Sequence, residues 1–370
     1  MNTTTVASNP VITAWSAVSP FGIGRDAFVD GLHAGQVMNR ALDKQQWAGP
    51  DTEACLVPDF TAAGALGKKG TRSMDRATGL AVATVGRMLD DQPRGREIAT
   101  GDHAALVLGT TTGSAQSMMD FTRDSITGEK PFFVDPARFP NTVMNCAAGQ
   151  CAIWHKLRGP NATVAGGRVA GLHALNYARR LLTSGRANTA LCGAVEEYSA
   201  ARSWLDRTGR QGEAPVLGEG CAMLQVEHAD DESVAGRALA EVLAVEFGAY
   251  TDDCAPALAA CVRRALERAG TPVGDLWALA PCGTAGSGER DALREVLGDT
   301  VGVRTPDLTV IGDTAGAASA MQVAAILALA ERDPSSAGRT ALITAVDEGV
   351  VGCAVLRLAH PGAIPRQDRR

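Results

Sequence analysis

Apolar residues in this chain gather in short runs, separated by longer stretches of small and leucine-rich residues at helical spacing. The runs at 104–108 and 277–280 read as buried strands, each followed by a glycine-rich turn, Gly109-Thr-Thr-Thr-Gly-Ser114 and Gly283-Thr-Ala-Gly-Ser287. Thr189-Ala-Leu-Cys-Gly-Ala-Val-Glu-Glu197 and Thr340-Ala-Leu-Ile-Thr-Ala-Val-Asp-Glu348 echo one another as strand-like runs that end in acids. Thr163-Val164 and Thr309-Val310 each lead through glycine into a small-residue helix, predicted over 170–183 and 315–330. Three matched pairs in the same order predict two copies of one βαβ-rich unit. The implied class is α/β, with mainly parallel sheets covered by helices. One copy runs over 11–227 and the other over 240–358, joined by the polar connector 228–236. The chain then divides into halves at 1–239 and 240–370. The excess length of the first half, about 114–159, contains Phe132-Phe133, Phe139-Pro140 and several methionines, and is expected to be an inserted layer or a partner surface. The tail 361–370 is expected to fray.

Composition narrows the function classes. A chain of 370 residues with 45% apolar content buries a large core. No window reaches the eighteen apolar residues of a membrane helix, and residues 1–10 are polar, so the expectation is a cytoplasmic protein without membrane contact. A net charge of -6 and an aromatic content of 4% argue against a nucleic-acid surface. The nine cysteines form no CxxC pair, so they read as reduced and buried, with neither a disulfide framework nor a zinc site. The glycine turns complete neither GxGxxG nor GxxxxGK[ST], which argues against a nucleotide cofactor.

Taken in order, several segments resemble the β-ketoacyl synthase branch of the thiolase fold across nearly the whole chain. Val11-Ile-Thr-Ala-Trp-Ser-Ala-Val-Ser-Pro-Phe-Gly22 is similar to the family's opening strand and turn, followed by a helix over 24–35. Asn145-Cys-Ala-Ala-Gly-Gln150 and Leu157-Arg-Gly-Pro-Asn161 resemble the approach to its nucleophile elbow. Gly218-Glu-Gly-Cys-Ala-Met-Leu224 resembles the last strand of its first half, and Ile311-Gly-Asp-Thr-Ala-Gly-Ala-Ala318 its second histidine loop. The resemblance implies a five-layered αβαβα core, a dimer across the inserted region and a pantetheine tunnel to a Cys-His-His site. Carried over position by position, the nucleophile falls on Arg168, the first histidine on Cys282 and the second on Asp313. The family's Gly-Phe-Gly-Gly loop is replaced by Val346-Asp-Glu-Gly349.

A guanidinium does not attack a thioester, and a cation at the start of a helix opposes the helix dipole unless an anion accompanies it. Arg168 therefore needs a carboxylate. Asp313 is the expected partner, with Asp347 or Glu348 as substitutes, giving a structural plug in place of the triad. The implied role is a chain-length factor, the non-catalytic half of a type II polyketide ketosynthase heterodimer. Its partners would be the catalytic ketosynthase subunit and an acyl carrier protein bearing phosphopantetheine, with no cofactor or metal bound directly. Met118, Met119 and Phe121 fall where the resemblance places the subunit contact and the far end of the acyl pocket. Two other readings stay open. One is an acyltransferase using Cys282 as a relocated nucleophile ionised by Arg168. The other is a homodimeric binding protein for acyl groups or carrier protein. His173 is expected to pack, and the acids at 196–197 and 347–348 to be solvated.

Overall fold

Strand β1 (Val11–Ser19) is buried at all nine positions, the mark of a strand covered on both faces. The computed structural model describes residues 9–93, 95–209, 215–229, 234, 236–283, 288–298 and 303–359. The expected frayed tail, most of the Gly283–Ser287 turn and part of the 228–236 connector lie outside the described residues. The other main strands are β2 (Ala104–Thr110), β3 (Asn161–Ala165), β4 (Thr189–Glu196), β5 (Gly220–Glu227), β6 (Ala240–Ala249), β7 (Leu276–Ala280), β8 (Thr340–Asp347) and β9 (Val350–Leu358). The main helices are α1 (Arg25–Ala34), α2 (Arg76–Asp90), α3 (Ala115–Thr127), α4 (Cys146–His155), α5 (Ala170–Thr183), α6 (Ala200–Gly209), α7 (Cys254–Ala269), α8 (Glu289–Leu297) and α9 (Ala318–Arg332).

The strands hydrogen-bond in the order β7-β8-β9-β6-β1-β5-β4-β2-β3. Only Val11–Glu241 and Ile12–Ala240 pair across the β1–β6 seam, so the sheet is two halves joined at a narrow hinge of backbone. The two echoed runs occupy matching places. β4 pairs parallel with β2 and antiparallel with β5, and β8 pairs parallel with β7 and antiparallel with β9. The expectation of mainly parallel sheets is corrected: the sheet is mixed, and among the strands described parallel ladders join β2 to β3 and β4, and β7 to β8. The reason is local for β8 and β9, because Glu348 and Gly349 alone connect them and so short a link forces an antiparallel hairpin.

Side-chain alternation along the strands sorts the core into three parts. Ala105 and Val107 of β2 join Ala190, Leu224, Ala341 and Ile343 in a central cluster with α5 and α9. Leu106 and Leu108 point the other way, into a cluster with α2 and α4. Leu342, Cys353 and Val355 likewise face α7 and α8. The result is helix, sheet, helix pair, sheet, helix, the five-layered α/β arrangement that the resemblance implies. The central helices approach closely. A Cβ on Gly171 of α5 would stand 2.5 Å from the backbone nitrogen of Ala320 in α9, and Leu172 N donates to Ser319 Oγ at 3.2 Å. The first halves of the third matched pair differ: Thr163-Val164 lies in β3, whereas Thr309-Val310 forms a 3-10 turn.

Candidate functional site

Four chain segments meet where the central helices begin. β3 ends at Ala165, the chain turns through Gly167 at φ 50°, and Arg168 sits in a 3-10 turn just ahead of α5. Asp313 occupies the loop ahead of α9, and Asp347 is the last residue of β8. The Arg168 guanidinium bonds Asp313 Oδ2 through Nη2 and stands 3.8 Å from Asp347 Oδ1 through Nη1. Arg168 also donates its backbone N–H to Asp347 Oδ2 at 2.5 Å. Burial alone would lower the Arg168 pKa, yet Asp313, Cys282 and Asp347 together hold it above its ordinary value. Burial would raise Asp313, but Arg168, Arg202 and the N–H of Ala315 hold its carboxyl below the usual range. The loop is fixed from behind, since the Asp313 carbonyl accepts from Gly218 N at 2.9 Å and from Arg202 Nη2 at 2.7 Å.

Cys282 follows β7 and is the fourth member, close enough to add to the field at Arg168. Its backbone N–H and that of Gly283 donate to the two oxygens of Glu289, each at 2.9 Å, and its thiol points to the Val346 carbonyl at 3.8 Å. Glu289 is itself buried, and burial raises its pKa against hydrogen bonds from Thr344 and these two amides. His173 lies in the first turn of α5 and stacks flat on Phe247, with ring centroids 4.1 Å apart. Burial lowers its pKa. Glu348 is exposed, its N–H donating to Asp347 Oδ1 at 2.8 Å. Among the described residues no group of three or more histidine, cysteine or acidic side chains is placed to hold a metal ion.

A cavity of about 760 Å³ opens between α3 and α6. Trp47, Met119, Tyr198 and Trp204 give it an apolar wall, and Asp75 and Glu197 a polar one. Of the three residues expected at an acyl pocket, Met119 lines this cavity. Met118 is exposed beside it on α3, and Phe121 packs edge-on against Phe139. The expectation of solvated acids at 196–197 is corrected, for Glu196 and Glu197 are 2% and 1% exposed. The physical reason is that the start of α3, the loop at Gly316 and the start of α6 cover the end of β4. Glu196 accepts from Thr111 Oγ1 at 2.5 Å and from Gly316 N at 3.1 Å. Sequence reasoning also missed Ser114, Gln116, Arg202 and Trp204. The acid pair closing the repeated run was the one signal that pointed toward this region.

The residues 8–232 match the family model described as Beta-ketoacyl synthase, N-terminal domain. The chain is 28% identical to a 3-oxoacyl-[acyl-carrier-protein] synthase 2 of Rhizobium meliloti (strain 1021), over 87% of this chain and 86% of that protein. It is 27% identical to a granaticin polyketide putative beta-ketoacyl synthase 2 of Streptomyces violaceoruber, over 89% and 85% of the two chains. Among solved structures, the ishigamide ketosynthase/chain length factor superposes with a TM-score of 0.90 at 46% identity, covering 95% of this chain and 99% of that one. A beta-ketoacyl synthase from Burkholderia phymatum STM815 shares the fold at a TM-score of 0.78 and 20% identity, covering 95% of this chain and 100% of that one. Among the described residues no helix is long and apolar enough to cross a membrane. A model match over more than half of the chain, joined to a five-layered α/β core, places this protein in the β-ketoacyl synthase family.

Proposed function

We propose that this chain is the chain-length-factor half of a type II polyketide ketosynthase heterodimer, a subunit that bounds the acyl tunnel while its partner performs the condensation. The observation that carries the reading is the arginine at position 168. It has no nucleophilic atom, and its guanidinium and its backbone N–H are both engaged by carboxylates. In an acyl-transfer elbow that N–H is a donor to the developing oxyanion, so Asp347 removes a second element of catalysis at the same point. The similarity to the ishigamide ketosynthase/chain length factor supports this class, and the residues at 168, 282 and 313 favour the non-catalytic kind of subunit.

The surface supports an obligate partner. β3 and β7 end the sheet, and among the described residues β7 is met on its outer edge by Arg304, whereas β3 pairs in the sheet with β2 alone. Around the inserted region Phe132, Phe133, Phe139 and Met144 are exposed by 47 to 71%. An exposed apolar patch and an open strand edge on one chain fit a ketosynthase of the same fold as partner, and the cavity lined by Met119 then extends that subunit's tunnel. Acyl carrier protein delivers malonyl units on phosphopantetheine to the assembled pair.

Co-expression with a ketosynthase that retains cysteine and both histidines tests the reading. A one-to-one complex whose elongation of malonyl carrier protein needs both chains is the expected result. Elongation by this chain alone, or acylation of Cys282, overturns it.

A further inference from the structure

Glu197 has no part in the Arg168 cluster, yet its carboxyl is enclosed one residue beyond β4. Burying a carboxyl group is unfavourable unless hydrogen bonds replace its water. Its partners are the starts of two helices. Ser114 Oγ stands 3.1 and 3.2 Å from its two oxygens, Gln116 N donates to it at 3.3 Å and Ala77 N at 3.3 Å. Ser114 is the N-cap of α3, and Gln116 lies in its first turn. The Gln116 side chain extends the link to a third helix, its amide oxygen accepting from Ala201 N of α6 at 3.1 Å.

α3 needs this tether. Of its thirteen residues only Ala115 is buried, so no apolar stripe fixes the helix against the core, and its placement depends on its N-terminus. The same helix places Met119 on the cavity wall, where it keeps 47% exposure, with Met118 beside it. The charged groups around Glu197 are Asp75 and Arg76 at the start of α2, Glu196 on β4, Arg202 on α6, and Asp120 and Arg123 on α3. Burial first, and Asp75 second, push the Glu197 carboxyl up to about 8, which makes glutamine its neutral isostere.

We propose that Glu197 is the positioning residue for α3, and that by holding Met119 at a set depth it fixes the length of acyl chain the cavity admits. This rests on the chain-length reading above. The test measures product length from the heterodimer reconstituted with its ketosynthase, acyl carrier protein and malonyl units. E197A is expected to shift the main product by a two-carbon unit or more, or to spread it over several lengths, and E197Q to restore the wild-type length. Q116A, which cuts the α3 to α6 tie and leaves the acid in place, is expected to shift it in the same way and serves where E197A does not fold. An assembled E197A or Q116A complex with the wild-type distribution overturns the proposal. Enlarging the pocket wall with M119A separates the two claims. If M119A changes product length and E197A does not, the positioning role fails alone. If neither changes it, the chain-length reading fails as well.

Discussion

Replacing Arg168 by glutamine removes the cation that Asp313 and Asp347 share. Two carboxylates then face each other with reduced hydration, and the expected loss of stability is roughly 2–4 kcal/mol, toward the lower end for buried pairs because Asp347 keeps 23% exposure. Urea unfolding of R168Q, D313N and the double variant measures it, and a double variant less destabilised than the sum of the singles marks true coupling. The Arg168–Asp313 contact was legible in the sequence because the resemblance places both residues at positions that the implied fold brings together. The second role of Asp347 was not, since it depends on the φ of 50° at Gly167, which turns the following N–H toward the carboxylate. Glu196 and Glu197 were misread for a related reason. Acids end both echoed strands, but at the first the start of α3, the loop at Gly316 and the start of α6 close over the strand end.

The close crossing of α5 and α9 gives the elements their own test. Alanine at Gly171 gains about 1 kcal/mol of helix propensity but pushes a methyl group against the Ala320 backbone, so G171A is expected to lose about 1–2 kcal/mol net, measured by chemical denaturation. Helix and strand positions were readable at this scale. The helix predicted over 170–183 is α5 as observed, and the run 104–108 extends into β2 by two residues. Strand direction was not readable, because βαβ patterning says nothing of the two-residue link that turns β8 back as β9. Nor does periodicity reveal α3, whose exposed methionines and single buried residue carry a weak apolar signal for its place in the fold.

For the molecule as a whole, buried acids set the response to pH. Burial raises the pKa of Asp75, Glu196, Glu197 and Glu289 in the folded state. A raised acid binds a proton in the folded chain that the unfolded chain has lost, so stability falls as pH rises through that window. For Glu197 the window runs from 4.5 to about 8. The melting temperature is therefore expected to be higher at about pH 6 than at about pH 9, with a smaller difference in E197Q, as read by thermal unfolding across pH. The two-copy plan of the molecule was legible from echoed runs, whereas the narrow β1–β6 seam between the sheet halves was not, since two residue pairs leave no pattern. Across that seam Arg168, from the first copy, is gripped by Asp313 and Asp347 from the second. On the proposed reading, replacing Arg168 alone would strand a desolvated carboxylate and weaken the fold, so stability itself would act as a ratchet against restoring a nucleophile at this position one substitution at a time.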